Sequence, residues 1–76
     1  MPMTSLAVLR RRKLLTQRQL AERAQVAPST IYVLEAGRRT RPRFDVLQKI
    51  ARALEVDVEE VDEFRRVIEG QLEAAA

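Results

Sequence analysis

The chain has 76 residues, is 46% hydrophobic and carries a formal net charge of +3, which bounds it to one small domain close to the lower size at which a chain folds alone. It contains no cysteine and no histidine, so disulfides, thiolate metal sites and the usual general base are excluded, and neither a cofactor nor a metal nor an enzymatic activity is expected. Apolar runs fall far short of the roughly 20 residues that span a bilayer and no signal-peptide pattern is present, so no membrane contact and a cytoplasmic location are expected.

In chain order, Thr4 or Ser5 is placed to cap a first helix that runs to about Lys13, with Leu6, Leu9 and Arg10 on its inner side. Leu14 and Leu15 link it to Thr16, which with Gln19 forms a T-x-x-Q capping box. A second helix is predicted over about 17–24, with Leu20, Ala21 and Ala24 inward. A third covers about 28–36, opened by Pro28 and presenting Ile31 and Leu34 inward at i, i+3 spacing. Residues 16–36 thus fit two short helices joined by a tight turn, the arrangement in which a second helix lies in the major groove of DNA. Gly37 is a natural stop, since glycine takes the left-handed conformation without strain.

Residues 38–43, RRTRPR, read as a basic loop stiffened by Pro42. A fourth helix is predicted over about 44–54, with Phe44, Leu47, Ile50, Ala51 and Leu54 at helical spacing. Asp57 with Glu60 makes a D-x-x-E start for a fifth helix over about 58–72, weakened near its end by Gly70. The expected fold class is therefore all-α, a five-helix domain with an extended C-terminal helix and no internal repeat.

Charge is divided along the chain: residues 1–43 carry +8 and residues 44–76 carry −5. One basic half beside a helix-turn-helix points to a polyanion-facing surface. The acidic side chains of the other half crowd onto helices four and five, where a solvated face accounts for them.

The segment from Leu6 to Val61 resembles the DNA-binding domain of the phage repressor and Cro family, the Xre-like helix-turn-helix proteins. The matching features are Arg10, Leu15-Thr16-Gln17, Leu20-Ala21, Val26, Ile31, Leu34-Glu35, Gly37, the Arg41-Pro42-Arg43-Phe44 string and the Leu54-x-Val56-x-Val58 close. The resemblance implies a compact lambda-repressor-like domain with the third helix as reader. It implies that Gln17 reaches the DNA backbone from the start of helix two, and that Arg10 and Glu35 form a buried salt bridge. The chain departs from the family at Leu14 and Gln25, which stand where glycine is usual and where a side chain is strained if φ is positive.

By family position Pro28, Ser29 and Val33 face base edges, with Thr30 and Tyr32 also turned away from the core. Ser29 can hydrogen-bond several bases and Val33 can touch a thymine methyl. None is Arg, Asn or Gln, so direct readout from this helix should be thin. Arg38, Arg39, Arg41 and Arg43 cluster within six residues, some of them expected to bind phosphates, and Arg43 matches a family position that can enter a narrow minor groove.

The expected function is a sequence-specific transcriptional regulator, a repressor, bound to double-stranded DNA. Two other readings stay open: an antitoxin that binds its own operator and caps a toxin through the C-terminal helix, and a protein-interaction adaptor on the same fold. Val61, Phe64, Ile68 and Leu72 recur at i, i+3, i+7 and i+11 along helix five, and an apolar stripe of this kind is expected to hold a homodimer.

Overall fold

Ser5 stands directly before the first helix. Its hydroxyl accepts from the Val8 amide at 3.3 Å and caps α1, Leu6–Arg12. This computed structural model describes residues 4–37 and 42–75, the stretch 71–75 as backbone only. Among these residues there are five α-helices and one short 3-10 turn: α1, then α2 (Gln17–Ala24), α3 (Pro28–Glu35), α4 (Phe44–Leu54), the turn Val58–Glu60 and α5 (Asp62–Ala75). The fold is all-α. None of the described helices is long and apolar enough to cross a membrane.

Each helix buries the stripe its spacing implies. Leu6 and Leu9 of α1, Leu20, Ala21 and Ala24 of α2, Ile31 and Leu34 of α3, and Leu47, Ile50 and Leu54 of α4 join one core with Val61 and Phe64. The α2 helix packs mainly on α3 and α4 and thereby sets the angle at which α3 stands. Its start is rigid, because Thr16 Oγ1 accepts from the Gln19 amide at 3.0 Å while Gln19 Oε1 accepts from the Thr16 amide at 2.8 Å.

Three helices end in the same way. Leu14, Gln25 and Glu55 all take positive φ, at 57°, 58° and 59°. In each case the next residue's amide reaches back to the helix: Leu15 to the Arg10 carbonyl at 3.2 Å, Val26 to Ala21 at 3.0 Å and Val56 to Ala51 at 3.0 Å. These are Schellman turns, and Leu15, Val26 and Val56 pack against the core just beyond them. Leu14 and Gln25 thus take the left-handed conformation where glycine is expected, each followed by an apolar residue packed on the core.

The C-terminal third departs from expectation in several respects. Helix five does not start near residue 58. Asp57 precedes only the 3-10 turn and makes no side-chain cap, and α5 opens at Asp62 and runs through Gly70 to Ala75. The interruption has a nonlocal cause. Val61 is extended (φ −94°, ψ 115°) and forms an isolated parallel bridge with Thr4. In that bridge the Thr4 amide donates to the Glu60 carbonyl and the Asp62 amide to the Thr4 carbonyl, each at 3.0 Å. Glu63 then accepts from the Leu6 amide at 2.9 Å, placing a carboxylate at the start of α1.

Val61 and Phe64 are fully buried in this single chain, which corrects their expected place on a dimer surface: they belong to its core. Ile68 packs partly on that core, and the side chain of Leu72 lies outside the described residues. Phe44 is also corrected. It is 48% exposed, because the packed stripe of α4 begins only at Leu47, one turn further in.

Candidate nucleic-acid interface

Helix α3 begins with Pro28 at its first position and has no side-chain cap. Its inward residues Ile31 and Leu34 are buried, and the accessible part of the helix lies among the other residues before Glu35. Pro28, Ser29 and Tyr32 are exposed, while Thr30 and Val33 are half-buried. The outward face is therefore small and mostly uncharged. Direct hydrogen bonds to base edges could come from the Ser29 and Thr30 hydroxyls, and apolar contact from Val33.

The orientation of this helix is fixed at its other end. Arg10 Nε lies 2.7 Å from Glu35 Oε2 and Arg10 Nη2 3.1 Å from Glu35 Oε1, a bidentate pair. Their side chains are only 11% and 8% exposed. Arg10 Nη1 also donates to the Leu15 carbonyl at 2.8 Å, and Gln17 Nε2 donates to Glu35 Oε1 at 3.1 Å. One carboxylate at the end of α3 is thus gripped from α1 and α2, while Arg10 also holds the turn between them. The hydrogen bonds that Arg10 donates to Glu35, helped by that residue's charge, raise the Arg10 pKa against the opposing pull of desolvation.

Gln17 therefore has a partner that its sequence position does not announce. It is the first residue of α2 and half-buried. One of its two amide hydrogens is engaged by Glu35, and the amide has a second to donate.

Arg43 precedes α4 and is exposed, with no side-chain cap role. Arg38, Arg39 and Arg41 lie outside the described residues. Of the apolar residues near the outward face of α3, sequence reading missed Val46. It lies with Ser29, Thr30, Val33 and Pro42 around one cavity between α3 and α4. The signal was present: Val46 is an apolar residue one position off the buried stripe that starts at Leu47.

A comparison with protein families agrees with this geometry. The helix-turn-helix family matches residues 6–61, which contain α1 to α4, the 3-10 turn and Val61. No curated protein and no solved structure matches the chain significantly. The matched segment covers well over half of the sequence, and the chain belongs to the helix-turn-helix family of Xre, or lambda-repressor-like, DNA-binding regulatory domains.

Proposed function

We propose that this protein is a sequence-specific transcriptional repressor that binds double-stranded DNA as a homodimer and reads the major groove with α3. The observation that carries this reading is the division of α3. Ile31 and Leu34 are locked in the core and Glu35 is gripped by Arg10 and Gln17, while Pro28, Ser29 and Val33 are left facing outward. A reading helix needs such a fixed back and accessible front. The +8 charge of residues 1–43 supplies the phosphate attraction, with Gln17, Arg38, Arg39, Arg41 and Arg43 as backbone contacts. Ile68 and Leu72 remain as the dimerisation residues of α5. A twofold dimer sets its two reading helices roughly 34 Å apart and calls for a palindromic operator.

The test combines two measurements. Selection from a random DNA library should enrich a palindromic site. With that site, log K against log salt should fall with a slope of about −5 to −7, as for a dimer that neutralises about six to eight phosphates. A slope near zero, or no enriched sequence, overturns the reading.

A further inference from the structure

Of the three non-glycine residues that end a helix at positive φ, only Glu55 stands before a terminal unit. The helices on either side of Leu14 and of Gln25 are all packed into the core. Beyond Glu55 lie residues 56 and 57, the 3-10 turn and α5, and the element against which α5 packs most is that same turn. Glu55 (φ 59°, ψ 39°) is exposed and strained. A short connection under strain before a terminal element invites exchange of that element between two copies, because straightening the connection removes the strain.

The attachments of this unit suit such an exchange. Val61 and Phe64 are fully buried, so release of the unit without a replacement leaves a cavity and exposes apolar surface. Its polar attachments among the described residues are made with the N-terminal stretch rather than with α4. The Thr4 amide donates to the Glu60 carbonyl, the Asp62 amide to the Thr4 carbonyl and the Leu6 amide to Glu63. A second copy can supply every one of these contacts with the same geometry. We propose that α5 and the 3-10 turn are exchanged between two copies of this chain about a hinge at residues 55–57, so that Val61 and Phe64 of each chain complete the core of the other. The exchange rests on the reading of the protein as a homodimer. The ion pair of Lys13 with Glu55, at 3.2 Å, holds the closed turn and opposes exchange, weakly because it lies at the surface.

The test places a covalent reporter on the Thr4–Val61 bridge. Paired strands lie about 5 Å apart, within reach of a disulfide, and the native chain has no cysteine. The full chain carrying Thr4→Cys and Val61→Cys is purified reduced. Its dimer fraction is isolated by size-exclusion chromatography, oxidised and run on a denaturing, non-reducing gel. The expected result is a band at twice the chain mass that neither single variant gives. A dimer fraction that yields only single-chain disulfides overturns the exchange and leaves the homodimer standing. A native chain with no dimer at high micromolar concentration overturns both. A second measurement does not depend on the cysteine variants. Glu55→Ala and Glu55→Gly both lose the ion pair with Lys13 and differ in the strain of the closed turn. In sedimentation equilibrium the alanine chain should have a dimer association constant about tenfold above that of the glycine chain, since two hinges are relieved per dimer. Equal constants overturn the exchange.

Discussion

Arg10 and Glu35, 25 residues apart in the chain, meet through two hydrogen bonds of 2.7 and 3.1 Å in a nearly solvent-free position. The pair joins α1 to the end of α3 and takes in the Leu15 carbonyl and the Gln17 amide. A buried ion pair adds little net stability relative to apolar residues, yet removing one partner strands a charge. Arg10→Ala and Glu35→Ala are each expected to lose about 3–5 kcal/mol. Arg10→Met with Glu35→Leu should cost much less than the two single losses added together. Urea denaturation of the four proteins checks this. Mild losses in both singles would mean that the pair does not hold α3.

The three non-glycine Schellman turns are a reserve of stability. A left-handed residue with a side chain costs roughly 1–2 kcal/mol, and glycine gives back about 0.5–1 kcal/mol through the entropy of the unfolded chain. Leu14 is 90% exposed and Gln25 is exposed, so neither side chain contributes much packing. Leu14→Gly and Gln25→Gly should each stabilise by roughly 0.5–1 kcal/mol, read as a rise of a few degrees in Tm. Glu55→Gly should gain less, because Glu55 also meets Lys13 at 3.2 Å on the surface. A fall in Tm for the first two would show that the turns carry no strain.

Division of labour at the DNA surface gives a third expectation. Arg43→Ala should weaken binding most at sites with narrow, A·T-rich minor grooves. Ser29→Ala and Val33→Ala should instead change which base pairs are preferred, by about 1–3 kcal/mol at a contacted pair. Repeating the site selection with each variant distinguishes the two effects. An unaltered preference in both α3 variants would remove α3 as the reader.

The burial of Phe64 separates folding from assembly. Phe64→Ala should cost about 3–5 kcal/mol of stability whatever the oligomeric state, since the ring is fully buried within one chain. Leu72→Glu should weaken self-association at least tenfold and leave the melting of the separated chain nearly unchanged. Sedimentation equilibrium and thermal melts provide the two readouts. A native chain that stays monomeric at high micromolar concentration would refute the α5 dimer.

Much of this architecture is legible because its signals are local. The Thr16–Gln19 capping box, Pro28 at the start of α3 and the stripe Leu47, Ile50, Ala51 and Leu54 each lie within a few residues. What was misread depends on distant contacts. The D-x-x-E pattern at Asp57 and Glu60 resembles a cap, but pairing with Thr4 holds Val61 extended and delays α5 to Asp62. The burial of Phe64 likewise depends on how α5 is set down, which periodicity along one helix does not reveal. Gln17 and Val46 show the same limit at the interface. Their partners are Glu35 on α3 and a shared cavity wall with Val33, contacts between helices that spacing along one helix does not specify. The left-handed turn at Glu55 has no local signal, because a charged side chain gives no hint of such a turn.

The bridge between Thr4 and Val61 has a consequence for how the protein gains its shape. It closes a loop over the whole matched segment, and Glu63 adds a second clasp at Leu6. Such closure has a large entropic cost and is compensated only when the intervening helices are already in place. The clasp should therefore form late in folding and open early, ahead of the buried α2–α4 contacts. In amide hydrogen exchange, the Thr4 and Asp62 amides should report this partial opening at lower free energy than the amides of α2. The two ends of the domain would then come free together rather than fray separately.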